Sequence, residues 1–98
     1  MKLGRVTGTV VSTINHPIYD HRRLLICDVL DARGEDTGGY LICIDTVDAG
    51  HGDTVLIIDE GNSARQVIGD TTAPVRAVIV GIVDELHVDG DVLDVVGR

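Results

Sequence analysis

Phenylalanine and tryptophan are absent from this 98-residue chain, and only Tyr19 and Tyr40 supply aromatic rings. Single-strand nucleic-acid binders stack bases on aromatic side chains, and two tyrosines in separate segments make a poor platform. Cations are scarce as well. Eight Lys and Arg stand against 16 Asp and Glu, for a formal net charge of −8. Displacing counterions from a phosphate backbone takes a clustered basic surface, and here only Arg22 and Arg23 are neighbours. The same deficit works against anionic lipid surfaces. No apolar run approaches the ~20 residues of a membrane-spanning helix, and the N-terminus lacks a signal-peptide core. With only Cys27 and Cys43, a disulfide framework is not expected, and reduced thiols in the cytosol are the simplest reading. The composition points to an acidic, soluble protein with neither nucleic acid nor membrane as partner.

What the chain does have is aliphatic bulk and glycine. Hydrophobic residues make up 44% and glycines number 12. β-branched Val and Ile, which fit a pleated half-buried surface better than a helix, dominate the apolar set. The length suits one domain, residues 1–98. Met1–Ile14 reads as a first strand, with Val6, Val10 and Ile14 on one face beside Gly4 and Gly8; glycine inside a strand marks a bend, a bulge or a close backbone approach. Asn15–Arg23 is a loop. Leu24–Leu30 and Tyr40–Val47 are strands joined through the turn formers of Asp31–Gly39, and a hairpin symmetric about Glu35 sets Cys27 opposite Cys43. Both thiols are expected as small apolar core residues. Asp48–Asp53 is a glycine-rich turn leading to a strand at Thr54–Asp59. Ser63 and Gln66 form a capping box for one or two helical turns at Ala64–Ile68, which Gly69 ends. A long strand at Arg76–Val88 turns at Asp89-Gly90 into a last strand, Asp91–Val96. This is a mostly β fold: a small five-stranded OB-like β-barrel with one short helix and a C-terminal β-hairpin. An immunoglobulin-type sandwich needs more strands and other turn spacing.

Tyr40–Ile44, Val55–Ile58 and Ala77–Val83 are almost wholly apolar instead of alternating. That pattern belongs to strands covered on both faces. The second cover comes either from the short helix and loops or from another subunit, and association is the favoured reading.

No reactive groups converge. His16 and His21 share a loop at a spacing unlike a helical zinc site, and His51 and His87 sit at turns or strand ends. Asp89, Asp91 and Asp94 lack the sixth-position glycine and terminal Glu of a calcium loop. Gly61-Asn62-Ser63 lacks the lysine of a phosphate-binding loop, and Arg65 stands where a nucleophile elbow needs its last glycine. Ser63 is an N-cap; no catalytic residue, cofactor or metal is expected. Arg65 is the odd residue. A cation in a first helical turn opposes the macrodipole by up to about 1 kcal/mol, so the guanidinium either finds an acidic or carbonyl partner, across a subunit boundary for instance, or is solvated.

Several stretches in order carry a family resemblance: Lys2-Leu3-Gly4-Arg5-Val6-Thr7-Gly8-Thr9-Val10-Val11, Asp45-Thr46-Val47-Asp48-Ala49-Gly50 before Gly52-Asp53-Thr54-Val55, Gly61-Asn62-Ser63-Ala64-Arg65, and Pro74-Val75 ahead of Gly81-Ile82-Val83-Asp84. The chain resembles the CcmL/EutN family of bacterial microcompartment vertex proteins over essentially its whole length. The resemblance implies a non-enzymatic shell subunit in the bacterial cytoplasm, an OB-like barrel forming a homopentamer that caps five-fold vertices among hexameric shell proteins. A flat hexagonal lattice cannot close without such points, and a head-to-tail contact closing after five copies supplies one. Under this reading Gly61, Asn62, Ser63, Ala64, Arg65 and Asp84 are the subunit-interface or structural motif. The loop of Asn15, His16, Pro17 and Tyr19, where the chain departs from the family, is the candidate contact with hexamers. The rival is an OB-like nucleic-acid- or ligand-binding module.

Overall fold

A computed structural model of the chain describes residues 1–10, 23–59 and 77–95. The strands are β1 (Lys2–Val10), β2 (Leu24–Leu30), β3 (Asp36–Asp45), β4 (Thr54–Asp59), β5 (Ala77–Ile82), β6 (Glu85–Val88) and β7 (Asp91–Asp94). The first five close into a barrel in the order β1-β2-β3-β5-β4, while β6 and β7 form a separate two-stranded sheet. All barrel pairs are antiparallel except β3 with β5. This is the mostly β, OB-like barrel with a C-terminal hairpin that the sequence implies. The expected helix at Ala64–Ile68 and the loop at Asn15–Arg23, up to residue 22, lie outside the described residues.

The core is aliphatic and tight. Val6, Leu25, Cys27, Cys43, Ala49, Val55, Ile57, Ala77 and Ile79 form one buried cluster. Valine, isoleucine, leucine, alanine and cysteine fill it without an aromatic ring. Gly4 shows the limit: a Cβ there would lie 2.6 Å from Ile57 Cδ1 and 3.2 Å from the Asp28 carbonyl. Gly8 sits at a register shift, after which β1 pairs with β2 one residue out of step. Close approach and bulge thus both occur in β1.

Three sequence expectations need correction. β3 begins at Asp36, not Tyr40, and ends at Asp45. Its hairpin with β2 is not symmetric about Glu35. Asp31 closes a tight turn, donating its amide to the Glu35 carbonyl at 2.8 Å and accepting from the Arg33 and Glu35 amides through Oδ1. The register then shifts where Val29 of β2 alone lies against Thr37, the left-handed Gly38 and Gly39 of β3. Cys27 therefore faces Leu41 and Cys43 faces Leu25. Finally, the expected strand Arg76–Val88 is two strands. The Val83 amide bonds the Thr54 carbonyl at 2.8 Å, and the Asp84 carbonyl accepts from the Val95 amide at 3.1 Å. At that step the chain leaves the barrel ladder and starts a new sheet.

β6 and β7 pair antiparallel, with Leu86 opposite Leu93 and His87 opposite Val92. Asp89 and Gly90 both have positive φ (52° and 82°), as a two-residue type I′ hairpin turn requires.

Candidate assembly surfaces

The most elaborate polar construction lies at the end of β3. Asp45, whose side chain is 3% exposed, accepts from Arg23 Nη2 at 2.9 Å. The same carboxylate accepts the Val47 amide at 3.1 Å and the Ala49 amide at 3.1–3.2 Å. It thereby does the work of a backbone turn, the local bonding that makes Asp common in such loops. Arg23 reaches further, to Asp48 Oδ1 at 3.1 Å and the Ala49 carbonyl at 2.6 Å. Asp48 takes the left-handed conformation, φ 58°, which Asp tolerates better than most side chains. Thr46 Oγ1 donates to the Ile79 carbonyl on β5 at 2.6 Å. Gly50 and Asp53 exchange bonds of 2.8 and 3.0 Å, and the Gly52 amide donates to the Val6 carbonyl at 2.8 Å. The segment Asp45–Asp53 is thus a rigid corner that seats Ala49 in the core and hands the chain to β4.

A second construction fixes the hairpin to the barrel. Thr54, buried at the start of β4, donates its hydroxyl to the Val95 carbonyl at 3.2 Å. Gly34, at the β2–β3 tip, lies against Val95 and Leu86. Its carbonyl accepts from Arg5 Nη2 at 3.3 Å, and Arg33 pairs with Asp91 at 3.2 Å. Leu86 and Val95 therefore face the barrel, and His87 and Val92, on the opposite face by the two-residue period, face away.

Among the described residues no three His, Cys, Asp or Glu side chains gather in a metal-binding geometry. His51 and His87 are exposed, as are Asp89, Asp91 and Asp94. Cys27 and Cys43 are free thiols fully buried in the core, the role expected of them. Hydrogen bonding to Cys27, with burial, pushes the Cys43 thiol up from its ordinary pKa. The four described cations are all engaged: Lys2 with Asp59, Arg5 with the Gly34 carbonyl, Arg23 with Asp45 and Asp48, and Arg33 with Asp91. They form no basic face.

The apolar strands divide in an informative way. On the outer face of β3, Ile44 is buried with Val78 beside it on β5, whereas Tyr40 is 67% and Ile42 50% exposed. Ile82 and Val92 are exposed as well. Of the sequence-derived site residues, Asp84 is described; it is exposed, and its carbonyl anchors the hairpin through Val95. Gly61, Asn62, Ser63, Ala64, Arg65, Asn15, His16, Pro17 and Tyr19 lie outside the described residues. The Arg23–Asp45 corner and the Thr54 anchor were missed as structural sites. The signal for the first was present in Asp45-Thr46-Val47-Asp48-Ala49-Gly50, an Asp two and four residues ahead of amides it can accept.

A closed five-stranded OB-like barrel carrying a docked two-stranded hairpin places the chain in the class of small OB-like β-barrel proteins. The family model described as ethanolamine utilisation protein EutN/carboxysome matches residues 1–84, and the chain belongs to that family. It is 40% identical to the bacterial microcompartment shell vertex protein EutN of Salmonella typhimurium, over 95% of this chain and 93% of that one. The solved structure of Gloeobacter violaceus CcmL superposes with a TM-score of 0.87 at 37% identity, covering 100% of both chains. The GrpN pentameric microcompartment shell protein of Rhodospirillum rubrum superposes with a TM-score of 0.78 at 36% identity, over 90% of this chain and 99% of that one.

Proposed function

We propose that this chain is a non-catalytic vertex subunit of a bacterial microcompartment shell, forming a homopentamer that caps five-fold vertices among hexameric shell proteins. The observation that carries this reading is the likeness, over nearly the full length of both chains, to a shell protein described as pentameric. The names of the other relatives, shell vertex proteins of two kinds of compartment, support it. So does the exposed apolar surface on β3 and β7. The rival nucleic-acid-binding reading finds no support in the described cations, all of which are bound within the chain.

Within this function Gly61, Asn62, Ser63, Ala64, Arg65 and Asp84 are the subunit-interface or structural motif, with Arg65 bonding a neighbouring chain or locking the turn that faces it. Asn15, His16, Pro17 and Tyr19 form the loop that meets the hexamers. Native mass spectrometry of the full chain at micromolar concentration tests the ring directly. The expected species has five times the 10.4 kDa chain mass; a monomer, or a ring of another number, contradicts the proposal.

A further inference from the structure

We infer that the β6–β7 hairpin is a hinged flap, latched at the β2–β3 tip through Leu86 and Val95, that opens about Val83–Asp84 while the barrel stays closed. Topology sets the hairpin apart. β6 and β7 form their own two-stranded sheet and share no ladder with the closed barrel. The Val83 amide still bonds the Thr54 carbonyl at 2.8 Å, whereas the Asp84 carbonyl accepts from the Val95 amide and closes the base of the hairpin. The pivot therefore falls between these two residues.

What holds the flap down is local. Val95 is 1% exposed, and with Leu86 it packs at Gly34. The Thr54 hydroxyl bonds the Val95 carbonyl at 3.2 Å. Arg33 and Asp91 add an ion pair at 3.2 Å, but both side chains are largely exposed, so solvent screens it. Glu85, His87, Val92 and Asp94 are exposed, and the hairpin is seated by one face.

Two terms favour opening. A two-stranded hairpin is marginally stable alone, so its order depends on that seat. The seat also holds an unmet donor. Arg5 Nη2 reaches the Gly34 carbonyl at 3.3 Å, while Arg5 Nε is buried without a hydrogen-bond partner. A buried N–H with no acceptor penalises the docked state, and water satisfies it once the flap lifts. Each barrel strand, by contrast, is paired on both sides in the closed order β1-β2-β3-β5-β4. Elements with few apolar contacts and exposed bonds open at lower free energy than the core. The flap is thus a reversible cover over Gly34 and Arg5 at one end of the barrel.

Hydrogen–deuterium exchange of the full chain, read peptide by peptide in a mass spectrometer, tests the flap. Amides of the β6–β7 ladder should exchange roughly tenfold or more faster than those of β1–β5. Val95→Ala, which shortens the latch, should speed β6–β7 exchange by about tenfold and leave β1–β5 unchanged. A second variant pins the flap: Arg33→Cys with Asp91→Cys, joined by a bismaleimide, should slow β6–β7 exchange toward the barrel rate. The native thiols are fully buried and stay unmodified. Hairpin amides that exchange at the barrel rate in the parental chain overturn the inference. So does a Val95→Ala acceleration spread equally over β1–β5, or a pinned chain whose hairpin exchanges as fast as the parent's.

Discussion

Replacing Asp45 with Ala puts the corner between β3 and β4 under the most direct strain. The carboxylate is 3% exposed and accepts the Val47 and Ala49 amides as well as Arg23 Nη2. The Ala49 amide is buried, and leaving a buried donor without an acceptor costs about 1–3 kcal/mol. The Val47 amide is less deeply placed and takes the lower end of that range. Arg23 is 48% exposed, so solvent screens the ion pair and its loss adds at most about 1 kcal/mol. Asp45→Ala is therefore expected to destabilise the fold by about 3 kcal/mol, a large share of the roughly 5–15 kcal/mol of a domain. Asp45→Asn retains one acceptor oxygen and should lose about half as much. Arg23→Ala should cost about 1 kcal/mol or less, and the double variant should cost less than the sum, because the two share bonds. Urea unfolding followed by far-ultraviolet circular dichroism reads these values, with protomer concentration held fixed so that assembly does not move the midpoint. An Asp45→Ala variant within about 0.5 kcal/mol of the parent, the range of an ordinary surface change, would refute the assignment of this corner as a structural hub.

Two other outcomes follow from the same packing. Gly4→Ala places a methyl against Ile57 Cδ1 and the Asp28 carbonyl and should destabilise the barrel by about 1–3 kcal/mol, the usual cost of overpacking; an unchanged urea midpoint would show that the lumen has slack. In the native state at pH 8 neither cysteine should react with Ellman's reagent, because both are buried and the Cys43 thiol is held protonated, whereas unfolding without reductant should release two thiols per chain; one or none would mean that the pair is oxidised.

Fold class was legible because composition and period agree on it. Val and Ile runs, glycines inside strands and an Asp-Gly turn each favour a small barrel with a terminal hairpin, and the barrel is there. Registers were less legible. The position of Cys43 depends on a register shift that sets Thr37–Gly39 of β3 against Val29 alone, and extra residues in one strand leave the apolar pattern on either side unaltered. The break at Val83–Asp84 was hidden for a similar reason: Ala77–Val88 stays apolar enough to read as one strand, and what divides it is a pair of backbone bonds to Thr54 and Val95, distant in sequence. The Asp45 corner is the opposite case. Its bonds are local, two and four residues on, so the motif could be read as a turn, but its partner Arg23 lies 22 positions earlier. The doubly apolar strands were readable as a sign of extra cover, and the structure separates them into buried Ile44 and Val78 and exposed Tyr40 and Ile42.

The central claim, that this chain closes a shell at its vertices, is tested most directly by electron cryomicroscopy of particles made by co-expressing it with a hexameric shell protein. The account predicts closed polyhedra with five-subunit density at the vertices, and open sheets, tubes or particles with vacant vertices when this chain is left out. Closed particles with filled vertices that form equally well without it would contradict the claim.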